Sequence, residues 1–587
     1  MRPGASPKLR RDTVALVVIL GVYALFAAFV RNSYYQLMLT LVPVWAVMGL
    51  GWNLLSGYTG LISFGHAAFF GLGAYTVTLA LVYWNLTPWL GIPLGTLVGA
   101  AAAFLIGLPT FRLRGHYFAL AMLAYPLAIL YVLQYLGFQE VSLPMKRDAP
   151  FLFMQFNDPR IFTWLALGLL LVAMLVSMAV ENSRFGLSLM AIRQNELAAQ
   201  AAGLDVRRWK LRALTLSGAM AAAAGSFYAC VLLVVTPDSV FGVLISAQAL
   251  VVTLFGGVGS VWGPLIGAAV LVPLSETLQA ELGNIIPGIQ GVVYGLAIIV
   301  IMLAAPEGLF WTLRDKWFRP RTAEALPSVA IPPAPATAPP ASDKILLDVQ
   351  GLCRSFGGLR AVDDVSFRVR EGTILGIIGP NGAGKTTLFN VLNGVLPADA
   401  GSATLDGERM VGRKLHEVAR MRVGRTFQVV RSFPRLPLLD NVVVGAYGAG
   451  LGDDEAIRAA EEALARVGLS HLANVQAGQL TTKGLRLMEL ARALAGRPRL
   501  LLLDETLAGL GREECDDVLA VLQRLRAEGM TIAIIEHTMH AMLRIADEFL
   551  VVDHGRVLAD GEPRAVIENP AVIEAYLGKK WLNRCST

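Results

Sequence analysis

At 587 residues the chain exceeds one ordinary domain, and with 55% hydrophobic residues, 16% charged residues and a mean hydropathy of +0.56 it is too apolar to be wholly soluble. Its formal charge of +6 sits in short Lys/Arg segments beside apolar runs, the pattern that orients membrane helices, and no basic-aromatic surface pattern points to nucleic acid. Cys230, Cys353, Cys515 and Cys585 lack pairing or metal-ligand spacing, so neither a disulfide framework nor a zinc site is expected.

Apolar runs that reach the roughly 20 residues needed for a bilayer crossing fall near 13–30, 36–55, 60–83, 89–108, 117–137, 162–180, 213–235, 245–274 and 289–305. The first half is therefore a polytopic α-helical domain of about 8–10 helices, some broken or re-entrant. Arg2, Lys8, Arg10 and Arg11 place the N-terminus in the cytoplasm, and counting crossings puts Arg112, Arg114 and the loop Glu181–Arg212 on the same side. The first run is long for a signal peptide and lacks a clear cleavage site, so it reads as a retained helix. If the second half is also cytoplasmic, the runs after 212 have the wrong parity unless one doubles back. The candidate is 245–274, whose centre "LFGGVGSVWGP" is rich in glycine and predicts a hairpin of short or re-entrant helices. None of these runs carries Asp or Glu in its interior, and His66 is the one ionisable group deep in them. Ion-coupled carriers need such groups, so transport driven by ATP is favoured.

The stretch "NLLSGYTGLISFGHAAFFGLGAYT" (53–76) combines Gly57, Gly60, Gly65, Gly71 and Gly73 with Asn53, Ser56, Thr59, Ser63 and His66. Small residues allow close helix packing and the polar ones bond across helices or to a solute; packing is the favoured role. Residues 319–344, rich in Pro and Ala without apolar period, form a semi-rigid linker between a domain at 1–318 and a second at 345–587. From Ile345 onward short apolar strands alternate with helical stretches, the pattern of a mostly parallel α/β sheet.

"GPNGAGKTT" (379–387) follows the strand "TILGII" and opens a helix, the setting a phosphate loop requires. The backbone of Gly379, Pro380, Asn381, Gly382, Ala383 and Gly384 would curl its N–H groups toward phosphate, with Lys385, Thr386 and Thr387 at the helix start. Lys385 would hold the β and γ phosphates of ATP, and the Thr386 hydroxyl would ligate Mg²⁺. "LLLLDE" (500–505) is a buried strand ending in two carboxylates: Asp504 as Mg²⁺ partner, Glu505 to orient or deprotonate the attacking water. His537, at the end of the strand in "IIEHTMH", is the candidate contact for the γ phosphate, favoured over His540 by motif order alone.

With these motifs in order, residues 345–579 resemble the ABC transporter ATPases, and "GRTFQ", "LLDNV" and "ENPAVIEAYLG" resemble the LivG type of branched-chain amino acid importers. The resemblance implies that Gln428 senses Mg²⁺ and meets the membrane part, and that Phe356 stacks on adenine. It also implies head-to-tail pairing of two ATPase domains, each offering a Leu-Ser-Gly-Gly-Gln signature to the other's nucleotide. Here the corresponding five residues are Leu480, Thr481, Thr482, Lys483 and Gly484. Thr481 keeps a hydroxyl, but Thr482 and Lys483 put side chains where glycine lets backbone meet phosphate. Thr506 and Gly511 also depart from the usual residues after the catalytic Glu. A homodimer would duplicate the defect, so the resemblance implies a heterodimer with a distinct ATPase; the milder alternative is that Lys483 supplies compensating charge.

The stretch at 53–76, with "LRGHYFALAMLAYP" and "LFGGVGSVWGPLIGA", resembles LivM-type permeases over residues 15–310. "RFGLSLMAIRQNELAAQAAGLDVRRWKLRAL" (184–214) resembles that family's coupling loop, and "NELAAQAAG" is expected as a short helix showing Glu196 and Ala199, with Gly203, to the ATPase. The resemblance implies a permease and ATPase fused as half of an importer for a small polar solute, a branched-chain or related amino acid, in the bacterial inner membrane. A second LivH-like permease, a second LivF-like ATPase and a periplasmic binding protein would complete it. An importer of an amide, urea or carboxylate, or a membrane-tethered regulatory ATPase that moves nothing, are the alternatives.

Overall fold

A computed structural model describes residues 5–113, 115–146, 148–282, 288–317 and 343–577. Arg2, Arg114, Cys585 and the linker apart from its last two residues lie outside the described residues. By internal contacts the chain divides into two units, Met1–Arg193 with Arg207–Thr322, and Gln194–Val206 with Ala323–Thr587.

The first unit is helical: α1 Ala5–Phe29, α2 Ser33–Trp52, α3 His66–Trp84, α4 Pro88–Thr110, α5 His116–Tyr135, α6 Arg160–Glu181, α7 Arg184–Gln194, then, beyond the short helix α8 Glu196–Ala201 of the other unit, α9 Val206–Leu232, α10 Pro237–Phe241, α11 Val243–Gly256, α12 Gly263–Leu282, α13 Ile289–Ala304 and α14 Leu309–Trp317. A two-residue ribbon joins β1 Val141–Ser142 to β2 Val234–Val235. Among the described residues nine spans are long and apolar enough to cross a membrane. The α2 span, apolar all round, has 89% of its most apolar window buried, whereas for the span in α1 the figure is 17%. A helix apolar on every face is stable either inside a bundle or against lipid, and these two occupy the two settings.

Within 53–76, Asn53 and His66 bond between segments, whereas Thr59 bonds back to the Leu55 carbonyl and Ser56 Oγ is buried without a partner. A π-helical turn, Asn53–Gly57, ends α2, and the Asn53 amide donates to the Ser260 carbonyl at 2.9 Å while accepting from the Gly259 N–H at 2.8 Å. His66 lies between the hydroxyls of Ser63 at 3.0 Å and Ser217 at 2.7 Å, which ties α3 to α9. Both groups are buried, so their hydrogen bonds are consumed in packing.

The run at 245–274 does break at its glycines. Helices α11 and α12 lie so close that a Cβ on Gly256 would sit 1.7 Å from the Gly263 carbonyl oxygen, and one on Gly267 1.8 Å from that of Val252. Each leg falls within a 20-residue candidate span, long and apolar enough to cross a membrane by itself. Beyond the apolar run that stops at 274, α12 continues to Leu282 and takes in Glu276 and Glu281, so carboxylates lie in the last turns of a candidate span. Glu276 is half-buried; helix continuation past an apolar run is set by packing, which a hydropathy window does not register.

The second unit is built on two sheets. Its elements are β3 Ile345–Phe356, β4 Leu359–Arg370, β5 Ile374–Ile378, α15 Lys385–Leu392, β6 Ala400–Leu405, β7 Glu408–Arg409, α16 Leu415–Arg420, β8 Val423–Arg425, α17 Leu438–Gly448, α18 Asp453–Arg466, α19 Thr482–Ala495, β9 Leu500–Asp504, α20 Arg512–Ala527, β10 Thr531–Ile535, α21 Met539–Ile545, β11 Glu548–Asp553, β12 Arg556–Gly561, α22 Pro563–Ile567 and α23 Pro570–Leu577. The larger sheet runs β12-β11-β5-β10-β9-β8 and is parallel except for β12 at its edge. Every residue of β5, β9 and β10 is buried, as expected of strands covered on both faces. The smaller sheet, β4-β3-β6-β7, is antiparallel.

Candidate ATP site and the segments attached to it

Adjacent strands β5, β10 and β9 end side by side, and their C-terminal edge is where ligands bind in parallel sheets. That register brings together the loop after Ile378, His537 after β10, and Asp504 and Glu505 at the end of β9. The loop closes on Gly384, the residue before α15, at φ +99°; a Cβ there would meet the Ala361 carbonyl oxygen at 2.0 Å. Only glycine fits, and α15 therefore starts with its free N–H groups toward the cleft.

The Lys385 ammonium turns back over the loop, donating to the carbonyls of Gly379 at 2.7 Å and Pro380 at 2.9 Å. Burial lowers its pKa, with the carboxylates of Glu505 and Asp504 opposing. The Thr386 hydroxyl donates to Asp504 Oδ1 at 3.4 Å. Asp504 is 1% exposed, and burial raises its pKa while Arg425, whose guanidinium stands 3.5 Å from Oδ2, holds it down. Arg425 is itself pushed down to about 10 by burial. Asp504 Oδ2 faces Arg425, while Oδ1, beside the Thr386 hydroxyl, is the oxygen that suits a hard divalent cation.

Glu505 stands on strained backbone at φ +50°, and both its oxygens are engaged. Gln428 Nε2 donates to Oε2 at 2.8 Å and His537 Nε2 lies 2.7 Å from Oε1. A left-handed residue held by two side chains is over-determined, as expected where strain serves a site. These groups line a cleft of about 830 Å³ together with Asn381, Thr387 and His554. Phe356 sits on the same cleft, 45% exposed, with the Arg354 guanidinium 5.0 Å above its ring. Of the sequence-derived site residues, 381–387 of the loop, Gln428, Glu505, His537 and Phe356 thus share one cavity, while Gly379 and Pro380 hold Lys385 from outside its lining and Asp504 is buried.

The altered five residues lie elsewhere in the unit. Thr481 caps α19, its hydroxyl accepting from the Gly484 N–H at 3.2 Å. Thr482 and Lys483 occupy the first turn, and the Lys483 ammonium is paired with Asp517 on α20. The hydroxyl and the charge that remain are therefore both engaged within the domain.

The stretch 194–206 packs on this ATPase unit. Asn195 caps α8 through the Ala198 N–H at 3.0 Å. Ala199 is fully buried while Glu196 is exposed. Gly203, at φ +93°, lies against Gly448 at the end of α17, so close that a Cβ on Gly203 would be 2.7 Å from the Gly448 carbonyl oxygen. Arg420 donates to the Gly203 carbonyl at 3.2 Å, Asp205 is 3.7 Å from His416, and the Gln194 side chain accepts from the Arg435 N–H at 2.7 Å. Of the expected trio, Ala199 is buried and Gly203 meets the ATPase unit backbone to backbone.

Several buried charged residues of the unit escaped the sequence reading, among them Arg425, Glu536 and Glu489. Arg425 beneath Asp504 lay inside the quoted "GRTFQ", where an arginine in a short apolar strand was the available signal. Glu536, just before His537, accepts from the Leu507 N–H at 2.6 Å, and burial pushes its pKa up to about 7. Glu489 lies in the middle of α19 and is 1% exposed.

Comparison with known proteins agrees with this architecture. Residues 34–302 match the family described as branched-chain amino acid transport system / permease component, residues 362–508 the ABC transporter family, and residues 556–580 the branched-chain amino acid ATP-binding cassette transporter family. The high-affinity branched-chain amino acid transport ATP-binding protein BraF of Pseudomonas aeruginosa is 41% identical over 250 residues, which cover 98% of that protein and 40% of this chain. The chain belongs to the branched-chain amino acid ABC transporters. LivG of Escherichia coli K12, also a high-affinity branched-chain amino acid transport ATP-binding protein, is 38% identical over 98% of its length and 40% of this chain. Among solved structures, the ADP conformation of MJ1267, an ATP-binding cassette of an ABC transporter, is 30% identical, with a TM-score of 0.38, and aligns over all of that protein and 40% of this chain. In this family member a multi-pass permease region and a nucleotide-binding ATPase share one polypeptide, and ATP hydrolysis is coupled to transport.

Proposed function

We propose that this chain is one half of an importer for a branched-chain or related amino acid, working with a LivH-like permease, a LivF-like ATPase that carries an intact signature, and a periplasmic solute-binding protein. The observation that carries the asymmetry is the contrast within the ATPase unit. Lys385, Gln428, Glu505 and His537 converge on one cleft above Asp504, while Thr481 and Lys483 spend their polar groups on Gly484 and Asp517. The nucleotide cradled by this chain would be closed by the partner's signature and hydrolysed fast; the one facing residues 480–484 would turn over slowly.

In the first site, successive N–H groups of residues 379–384 and the start of α15 bind the phosphates, and Lys385 exchanges its two loop carbonyls for β and γ oxygens. Thr386 and Asp504 would hold Mg²⁺, with Gln428 beside it, and the ion would neutralise charge developing on the phosphates. Glu505 orients and deprotonates the attacking water, and His537, hydrogen-bonded to it, fixes the carboxylate and reaches toward the γ phosphate. Phe356 offers a face for adenine. Closure around nucleotide would then shift α8 through its backbone contact at Gly203.

Counted as crossings, the nine candidate spans together with α13 give an even number. With Arg10 and Arg11 holding the N-terminus inside, that parity supports a cytoplasmic ATPase domain in a protein of the bacterial inner membrane. The linker at 319–344 then joins a permease domain at 1–318 to an ATPase domain at 345–587. The test is uptake by the full assembly in proteoliposomes, with labelled leucine and loaded binding protein. ATP-dependent accumulation, competed by branched-chain amino acids and not by amides, urea or simple carboxylates, is expected. Turnover of ATP indifferent to every solute and binding protein would overturn import.

A further inference from the structure

Helix α19 presents Arg486, Glu489 and Arg492 at spacings of three, which puts them on one face of the helix. All three are buried, at 6%, 1% and 4% exposure. The Glu489 carboxylate accepts from the Phe427 N–H at 3.3 Å through Oε2, and from the Arg431 N–H at 3.1 Å and the Arg492 guanidinium at 3.3 Å through Oε1. Arg486 donates to the Phe427 carbonyl at 3.0 Å and to the Ala508 carbonyl at 3.4 Å. The helix that begins at the altered signature therefore grips both backbone groups of the residue before Gln428, the amide at the far end of that short segment, and the segment that follows Glu505.

We propose that Glu489 is a positioning residue: it locks the segment 427–431 to the signature helix, so that movement at the start of α19 is delivered to Gln428 and onward to the coupling stretch. Taking a carboxylate out of water costs several kcal/mol unless it is paired and hydrogen-bonded, and an apolar residue would fill the same volume without that cost. What an apolar residue cannot do is receive two loop N–H groups that no strand pairs. The onward path is also in contact. A Cβ on Gly445 would lie 2.1 Å from the Arg492 carbonyl oxygen, so α17 and α19 touch backbone to backbone, and within the same turn α17 meets Gly203 through Gly448. Asn441 on α17 holds the far side of the same loop, accepting from the Phe433 N–H at 2.9 Å and donating to the carbonyls of Phe433, Leu436 and Pro437. Packed elements of this kind move as units instead of deforming smoothly. The role does not depend on which solute is carried.

The test is Glu489→Gln in the full chain, within the reconstituted transporter. The amide keeps the volume but sets an NH₂ against one of the two backbone N–H groups. Solute moved per ATP hydrolysed is expected to fall about five- to tenfold, a typical coupling magnitude, with KM for ATP within about twofold because the phosphate loop is untouched. Hydrogen exchange at the amides of Phe427 and Arg431 should rise while that of β5 and β9 stays as it was. Should Glu489→Gln fail to fold, Arg486→Lys carries the test by the same criteria, since lysine cannot span two carbonyls. An unchanged transport-to-hydrolysis ratio in the folded variant would overturn the proposal, whether or not its stability had dropped, because a packing residue would lower stability and leave that ratio alone.

Discussion

Two regions of one ATPase domain, the phosphate loop with its carboxylates and the helix start at 480–484, have fared differently. In the first, each group is held by another: Lys385 by two carbonyls of its own loop, Glu505 by Gln428 and His537, and Asp504 by Thr386 and Arg425. In the second, the Thr481 hydroxyl and the Lys483 ammonium are satisfied locally, by Gly484 and Asp517. On the proposed reading the change is confined to the start of α19, and the difference lies in what surrounds it: the body of the helix keeps its buried grip on residues 427–431 through Glu489.

The largest way to break this contrast is to remove the charge at the intact site. Lys385→Ala should lower ATP turnover and uptake together by at least about 100-fold, the scale expected when a donor to developing charge is lost, measured in proteoliposomes; undiminished uptake would mean that this chain's loop is not the working one. Restoring the altered region sharpens the contrast from the other side. With Thr482→Gly and Lys483→Gly combined, backbone N–H groups are freed and Asp517 loses its partner. The slow site should speed up several-fold, raising total ATP turnover about twofold at most, since only one of two sites changes. An unaltered rate would place the defect elsewhere, in Thr506 or Gly511.

A smaller effect concerns Glu536, whose pKa burial raises from 4.5 to about 7. In the folded state it keeps its proton to higher pH than in the unfolded chain, so its contribution to stability is fully present below about pH 4.5 and declines as pH rises toward 7. Glu536→Gln retains an acceptor for the Leu507 N–H and should flatten that decline, worth on the order of 1–3 kcal/mol. Thermal unfolding of the full chain in detergent between pH 5 and 8 measures it, and parallel slopes for both proteins would refute the assignment.

What could be read from sequence was whatever local spacing dictates. The phosphate loop needs a strand before it and a helix after it, and residues 374–392 supply both. Glycines at 256–267 marked the break between α11 and α12 because close backbone approach leaves no room for a side chain. Illegible were the residues whose meaning lies in a distant partner. Arg425 acquires its role only when β8 and β9 pair and bring Asp504 beside it, and Glu489 reads as an ordinary charge in a helix until Phe427 and Arg431 arrive from 60 residues away. Glu276 was missed because the apolar run stops short of the helix end. The coupling stretch was half legible: a short helix was expected from "NELAAQAAG", but its cap at Asn195 and the burial of Ala199 with Glu196 exposed depend on the shape of the ATPase surface.

The claim that one nucleotide site is strong and the other weak is tested most directly by comparing Glu505→Gln in this chain with the corresponding Glu→Gln change in the partner ATPase, each in the purified assembly. The account predicts that the first removes nearly all ATP turnover, a loss of about 100-fold or more, while the second leaves most of it. Equal losses from the two changes would contradict it.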